Sequence, residues 1–401
     1  MSVVMKFGGT SVGTIELIHK IANYIKNRKD TEENIVVVVS AMGKSTDYLI
    51  EMAKQVSKKL NKREIDTLLA TGEQQTIALL SLALQNEDVD AISLTGFQAG
   101  FKTTSTHNKG IIKDVDVVRV KHHLEEGKVV VVAGFQGISE DGDITTLGRG
   151  GSDTSAVALA AKLGYKCEIY TDVDGIYTVD PRVYQKAKKI DKISYEEIME
   201  MSALGAGVLE TRSVELAKKF NVPLYLGKSL SEEGSGTYIM NEEILLETKP
   251  ITGISITDHV AMITLEQETI DLTQISNIFK LVSEESVSLD MISQNVDKLQ
   301  YLMVSFSINE TDLETFESLQ ETKKEAFEGI TVHKQTGLIK VSLVGLGMAT
   351  NFGVASRLFD TLTKANIPMY TVSTSEISIS ITTDQPYKEQ ATTILAKEFH
   401  L

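Results

Sequence analysis

Five short, predominantly apolar segments rich in Val and Ile recur along the first half of the chain: VVMKF at 3–7, IVVVVSA at 35–41, AISLTGF at 91–97, VVVVAGF at 129–135 and CEIYTDV at 167–173. A strand that is apolar on both faces must be covered on both faces, so such runs belong in a buried and largely parallel sheet. Between them lie amphipathic segments, among them IELIHKIANYIKNR at 15–28 and TSAVALAAKLG at 154–164, whose apolar residues return every three or four positions. This alternation is the signature of βαβ units. It predicts an α/β fold, a three-layer α/β/α sandwich around a mostly parallel central sheet.

At 401 residues the chain exceeds one ordinary domain. Its texture changes after VPLYLGKSLSEEGSGTYIM at 222–240, where Gly, Ser and Glu at 231–236 read as a turn and EEILLETKP at 242–250 reads as a connector. The first domain is therefore placed at 1–245, with a linker and shared strand at 246–258. Beyond it the sequence repeats weakly at an offset of 80 residues: AMITLEQ at 261 matches VSLVGLG at 341, SNIFKLV at 276 matches SRLFDTL at 356, and VSLDMIS at 287 matches IPMYTVS at 367. Each copy reads strand, helix, strand and a further alternating strand, LQYLMVSFSI at 299–308 or EISISIT at 376–382. Two ferredoxin-like α+β units follow from this, at 259–335 and 336–401.

Forty Lys and Arg against 55 Asp and Glu leave a net charge of -15, so the long-range field repels nucleic acid and anionic membrane. An anionic ligand must then be held by local positive groups. The start, MSVVMKFGG, has no apolar stretch long enough for a signal peptide, and no later run approaches the ~20 residues that span a bilayer, which points to the cytoplasm. The single cysteine, Cys167, excludes an intramolecular disulfide framework and a thiolate metal cluster, and reads as a buried small hydrophobe.

Three glycine- or aspartate-rich segments carry the chemistry. In KFGGTSVG at 6–13, a strand bearing Lys6 runs into Gly8 and Gly9, and Thr10 and Ser11 are expected in the first turn of a helix. Paired glycines let the backbone approach a phosphate, free N–H groups at a helix start point at it, and Lys6 adds a full charge. Alone, the same pattern describes a tight turn. In TTLGRGGSDTSA at 145–156, Ser152, Asp153 and Thr154 are candidate helix caps and Arg149 stands among Gly148, Gly150 and Gly151. Three glycines weaken a capped helix unless a ligand or a special backbone angle requires them. The third segment, TDVDGIYTVDPR at 171–182, gathers Asp172, Asp174 and Asp180 near Tyr177 and Arg182. Its spacing does not fit a calcium-binding EF-hand loop, which leaves a nucleotide-binding loop or a β-turn built on DG and DP.

In their order and spacing, KFGGTSV, GRGGSDTSA and TDVDGIYTVDPR, with SAMGKSTD at 40–47 and TGE at 71–73 between them, resemble the aspartokinases, amino-acid kinases that carry two C-terminal ACT regulatory domains. The resemblance covers nearly the whole chain. It implies phosphorylation of the aspartate side-chain carboxylate by ATP with Mg²⁺ to give 4-phospho-L-aspartate, the first step toward lysine, threonine and methionine. No Walker loop is involved, and the sequence has no GxxxxGK[ST]. Lys6 then supports the transferring phosphoryl group; Gly8, Gly9 and Ser11 line the phosphate path; Thr46, Glu73 and Ser152 contact the substrate; and Arg149 clamps a substrate carboxylate. Asp153 organises Lys6 or caps its helix. Thr171, Asp172, Tyr177, Asp180 and Arg182 fall on the nucleotide side. One departure concerns the family's GAKVL, which reads GAGVL here with Gly207 in place of a phosphate-binding lysine, leaving Lys228 or Arg182 as substitutes. For the repeat pair the resemblance implies lysine or threonine bound between subunits of a homodimer or higher even oligomer, with Asp271, Gln294 and Asn295 as effector contacts. The first copy lacks the usual Pro-Gly turn in EQETIDLTQIS at 266–276. The alternatives are an amino-acid kinase acting on glutamate or a nucleotide, and a non-catalytic amino-acid sensor.

Overall fold

A computed structural model of the chain describes residues 2–231, 234–241, 250–296 and 301–401. The expected boundary near 245 and the start of the run at 299–308 lie outside the described residues. Two compact units emerge: Met1–Tyr177, Lys189–Ser202 and Gly207–Leu246 form the first, and Thr178–Lys188, Ala203–Ala206 and Glu247–Leu401 the second.

In the first unit, β1 (Ser2–Phe7), β2 (Asn34–Val39), β3 (Ala91–Leu94), β6 (Val129–Ala133), β9 (Lys166–Thr171), β12 (Lys192–Ser194), β13 (Leu224–Lys228) and β14 (Thr237–Met240) build one sheet. Its order is β12-β14-β13-β9-β1-β2-β6-β3. Every pairing from β13 to β3 is parallel, and β13 meets β14 antiparallel. The expected apolar runs supply its centre, with β2 buried from Ile35 to Val39 and all of β6 buried. A second sheet, ordered β5-β4-β7-β8, is made by β4 (Phe101–Thr103), β5 (Ile112–Val115), β7 (Gln136–Ile138) and β8 (Ile144–Thr146), while β10 (Ile176–Tyr177) pairs with β11 (Lys189–Ile190).

Strand alternation decides which helix covers which face. Val3, Met5 and Phe7 of β1 pack with Ile18, Ile21 and Ile25 of α1 (Ile15–Arg28) and with Leu80 and Leu84 of α3 (Lys62–Asn86). The opposite face, which carries Lys6, meets α5 (Gly151–Leu163). The remaining helices of this unit are α2 (Ser45–Val56), α4 (Val118–Glu125), α6 (Tyr195–Met201) and α7 (Thr211–Phe220). Two expected helix starts move. Thr10 and Ser11 lie in a turn closed by Ser11 N–H on Gly8 O at 2.9 Å, and α1 begins only at Ile15, where the Thr14 hydroxyl caps Leu17 N–H. Likewise α5 begins at Gly151 behind Gly150, which is left-handed at φ 63°, so none of Ser152, Asp153 or Thr154 is its cap. Cys167 is fully buried, and burial pushes its thiol up.

The second unit contains β15 (Gly253–Gln267), α8 (Leu272–Glu284), β16 (Asp290–Val296), β17 (Leu302–Asn309), α9 (Leu313–Thr322), β18 (Thr331–Val344), α10 (Val354–Lys364), β19 (Val372–Thr374), β20 (Ser378–Asp384) and α11 (Lys388–Glu398). The two repeats share one six-stranded sheet, β16-β17-β15-β18-β20-β19. Each long central strand serves both copies: Val260–Gln267 of β15 pairs with β17, whereas Gly253–Thr257 pairs with Lys340–Val344 of β18, the stretch that also pairs with β20. Register shifts between Thr257 and Met262, with His259 at φ 56°, mark where β15 passes from one copy to the other. Among the described residues no helix is long and apolar enough to cross a membrane.

Phe306 anchors the first repeat, fully buried with edge contacts to Phe279 at 5.5 Å and Phe316 at 6.0 Å. Phe306→Ala should destabilise the second unit by about 3–5 kcal/mol, read as an earlier urea midpoint.

Candidate active site

The carboxyl ends of β1, β2 and β6 open onto a cavity of about 800 Å³ in the first unit. Lys6 reaches it from β1, Thr46 from the first turn of α2, Glu73 from α3, and Arg149, Ser152 and Asp153 from the loop and first turn of α5. This is where parallel α/β sheets hold ligands, because strand ends and helix starts converge there.

Lys6 Nζ lies 2.7 Å from Asp153 Oδ1, and both side chains are largely buried, 10% and 14% exposed. The pair is out of line for a hydrogen bond, so Oδ1 has no hydrogen-bond donor. Behind it, a Cβ on Gly8 would stand 3.5 Å from the Lys6 ammonium, and one on Gly9 would press to 2.8 Å from the Ala41 carbonyl. At the start of α5, Gly151 N–H donates to Gly148 O and Thr154 N–H to Gly150 O. The amides of Ser152 and Asp153 remain the helix's open donors, at its positive end. Arg149 is exposed, and no described side chain pairs with it.

Glu73 is buried, 3% exposed. Its Oε1 accepts from Ala41 N–H at 3.1 Å, while Oε2 has no partner. Burial pushes this carboxyl up to about 7, against the pull of backbone hydrogen bonds. Asn108 also lines the cavity with an unpartnered Oδ1. Glu73 and Asn108 thus present two buried acceptor oxygens with no partner, beside an Asp153 Oδ1 met only by the Lys6 charge, which calls for a ligand rich in hydrogen-bond donors or positive charge.

The phosphate-path and nucleotide-side residues are only partly brought together. Gly8 N–H bonds Tyr170 O, and Ser11 Oγ meets Ser229 Oγ at 2.5 Å. Ser229 N–H in turn donates to Thr171 O, and the Thr171 hydroxyl to Asp172. Tyr177 donates to Asp174. Asp180 and Arg182 fall in the second unit, where they form a fork between Arg182 Nε and Nη2 and both Asp180 oxygens, at 2.8–3.2 Å. Lys228 ends β13 exposed and opposite Thr171. Gly207 is left-handed at φ 62°, a conformation that disfavours lysine.

Several residues that matter here carry no local motif. Asp66, fully buried in α3, accepts from the Thr146 hydroxyl at 2.5 Å, from Asn108 N–H and from His107 Nδ1. It therefore fixes the cavity wall that bears Asn108. An acid within the apolar stripe of KREIDTLLA is the signal that could have exposed it. Arg212 donates to Leu147 O and Gly110 O, both at 3.1 Å, and so pins the loop before Arg149. Its partners are main-chain carbonyls far away in sequence, and no pattern announces them. Ser229 sits in a stretch that reads simply as a turn. In the second unit, Gln294 and Asn295 are exposed on edge strand β16, and Asp271 caps α8 by accepting from Thr273 and Gln274 N–H.

Comparison with known proteins agrees with this architecture. The amino acid kinase family model matches residues 1–228, and an ACT domain model matches 341–399. The chain is 46% identical to an aspartokinase of Geobacillus stearothermophilus, covering all of this chain and 97% of that one, and 45% identical to aspartokinase 2 of Bacillus subtilis, covering 100% and 98%. An aspartate kinase from Synechocystis, 39% identical, aligns over 100% of this chain and 69% of its own with a TM-score of 0.56. E. coli aspartokinase III, solved with aspartate and ADP in its R-state, shares the fold over both full chains with a TM-score of 0.83 at 22% identity.

A Cβ on Gly150 would fall 2.3 Å from Glu210 Cβ, whereas one on Gly142, also left-handed at φ 83°, meets nothing within 4 Å. Gly142→Ala should then cost only the left-handed backbone term of about 1–2 kcal/mol. Gly150→Ala should lose about 1–3 kcal/mol more in the same urea titration, because Glu210 must move.

Proposed function

The chain belongs to the aspartokinase family of amino-acid kinases, and on that premise we propose that it transfers the γ-phosphoryl group of ATP to the side-chain carboxylate of L-aspartate. The observation that carries the reading is the Lys6–Asp153 pair at the mouth of two glycine loops, in a cavity lined by unpartnered acceptors. The product is 4-phospho-L-aspartate, an acyl phosphate that opens the route to lysine, threonine and methionine.

Aspartate's carboxylate, with a reference pKa near ~4, is already ionised at neutral pH and needs no general base. The difficulty is electrostatic, since a carboxylate must approach a polyphosphate. Lys6 supplies the cation, and the open Ser152 and Asp153 amides at the positive end of α5 receive the developing charge. Asp153 holds Lys6 in place through Oδ1, and the same carboxylate would be a fitting ligand for the Mg²⁺ that accompanies ATP and neutralises phosphate charge.

A free amino acid must be fixed at both ends. The exposed Arg149 guanidinium suits a substrate carboxylate, which it binds in a fork. Glu73 Oε2 and Asn108 Oδ1 suit the α-ammonium, with Thr46 and Ser152 completing the pocket. On the nucleotide side Gly8, Gly9 and Ser11 line the phosphates, and Thr171, Asp172 and Tyr177 take the nucleoside end. Lys228 stands in for the lysine that Gly207 removes. The second unit is read as the regulatory half of a homodimer or higher even oligomer, with lysine favoured over threonine as inhibitor. E. coli aspartokinase III has been solved with lysine and aspartate in a T-state, which supports that preference. Gln294 and Asn295, free on an edge strand, suit effector contacts better than Asp271, whose carboxylate already caps a helix.

Aspartate-dependent ATP turnover, with glutamate as the control substrate, tests the assignment. Lys6→Ala should lower kcat by at least about 10²–10³-fold, and failure of the wild type to turn over with aspartate would falsify it. Glu73 adds a pH signature. Pairing with the ammonium requires its carboxylate form, so KM for aspartate should fall as pH rises through about 7 and lose that dependence in Glu73→Gln. Stability should move the opposite way. The unfolded chain releases this proton first, so wild type should lose stability relative to Glu73→Gln between pH 4.5 and about 7.

A further inference from the structure

At the opposite end of β6 from the cavity, the chain leaves α4 and turns into the strand, and the last turn of α4 with its C-cap gathers His122, His123 and Glu126. One donor atom from each lies within 4.8 Å of the other two, the sole such group of three His, Cys, Asp or Glu side chains among the described residues. His122 Nε2 is 3.4 Å from Glu126 Oε1, and His123 Nδ1 is 3.1 Å from Glu126 Oε2. Ligands about 2.0–2.2 Å from a tetrahedral Zn²⁺ stand roughly 3.3–3.5 Å apart, and each imidazole nitrogen already stands near that distance from one oxygen of the Glu126 carboxylate, so a small rotation of that group brings one oxygen toward both.

We propose that His122, His123 and Glu126 form a surface site for a divalent transition-metal cation of the zinc type, with water completing its coordination.

Two features of this segment favour a cation there. Helical spacing puts His122 and Glu126 one turn apart on one face, so that a single carboxylate serves both rings. The donors cluster at the C-terminal end of α4, whose dipole and last carbonyls are negative. Two imidazoles with one carboxylate select zinc-like ions over Mg²⁺ and Ca²⁺, which prefer oxygen-only shells, so the magnesium that accompanies ATP does not compete.

Lys128 opposes occupancy, since its ammonium already sits 2.8 Å from Glu126 Oε2. A metal must displace it, which keeps the affinity modest and makes Lys128 the lever of the test. Bound metal would tie the end of α4 to the turn that feeds β6, far from the reacting groups. Its consequence is therefore stability and not turnover.

Chelator-treated full-length protein titrated with Zn²⁺ by calorimetry, with Mg²⁺ present throughout, decides the matter. One equivalent should bind and raise the melting temperature. His122→Ala and His123→Ala should each weaken binding at least about tenfold, and Lys128→Ala should tighten it, while all three keep the metal-free melting temperature within a few degrees and near-normal aspartate turnover. Absence of binding overturns the proposal, and so does binding that survives in both histidine variants or weakens in Lys128→Ala. Should a histidine variant fold poorly, His122→Gln and His123→Gln, which keep polarity and lose the imidazole, should weaken binding to the same degree, and undiminished binding in both overturns the proposal equally.

Discussion

The ion pair between Lys6 and Asp153 joins the strand at the middle of the sheet to the helix that covers it, and the cavity is organised around that join. A buried ammonium without a counter-charge would be costly, and Asp153 removes that cost while no phosphate is present. The contact is close but badly aligned, so an arriving phosphate can take the ammonium without breaking a well-formed hydrogen bond. Around the pair, each glycine that permits close approach is matched by a wall. Gly9 faces the Ala41 carbonyl, Gly134 faces Ser152, and Gly150 faces Glu210. Packing this tight holds two loops in register with one lysine, and charge cancellation needs that preorganisation.

Much of the first unit was legible because its sheet is buried on both faces, and unbroken Val and Ile runs can hardly be anything else. The loops were legible as compositions but not as geometries. Ser, Asp and Thr before an apolar helix read as caps, yet a left-handed Gly150 starts the helix three residues earlier and releases Ser152 and Asp153 to face the cavity. Asp66 and Arg212 stayed hidden because each works through tertiary partners. Asp66 bonds groups 41, 42 and 80 positions away, and Arg212 bonds carbonyls 65 and 102 positions away. The segment TDVDGIYTVDPR reads as one loop, but the chain crosses from one compact unit to the other after Tyr177.

The repeat pair shows a different limit. An offset of 80 residues reveals two copies, and it is silent on their sharing of β15 and β18. Sharing follows from strand length: at 15 and 14 residues these strands are about twice what one small repeat needs, and the surplus of each completes the sheet of the other. A buried Lys340, paired with Asp290 across the two copies, adds a polar lock to that shared sheet. β16 is thereby connected to the second copy through covalent strands and an ion pair, a contiguous path along which coupling between the copies can be carried.

Gly207 fits the same physical logic. A lysine at a backbone angle of φ 62° would carry a left-handed penalty of about 1 kcal/mol or more, and Gly205 nearby, at φ 106°, adopts a conformation still less open to a side chain. The chain here is shaped for glycine, so the missing lysine is a property of the local fold and not a lone substitution. On the proposed reading, positive charge along the phosphate path then comes from strand ends, Lys6 on β1 and Lys228 on β13, with β9 between them. Strand ends are the more rigid mount. A cation fixed there loses less on meeting a phosphate than one carried by a glycine-hinged turn, and Lys6, buried beside Asp153, is the more tightly held of the two.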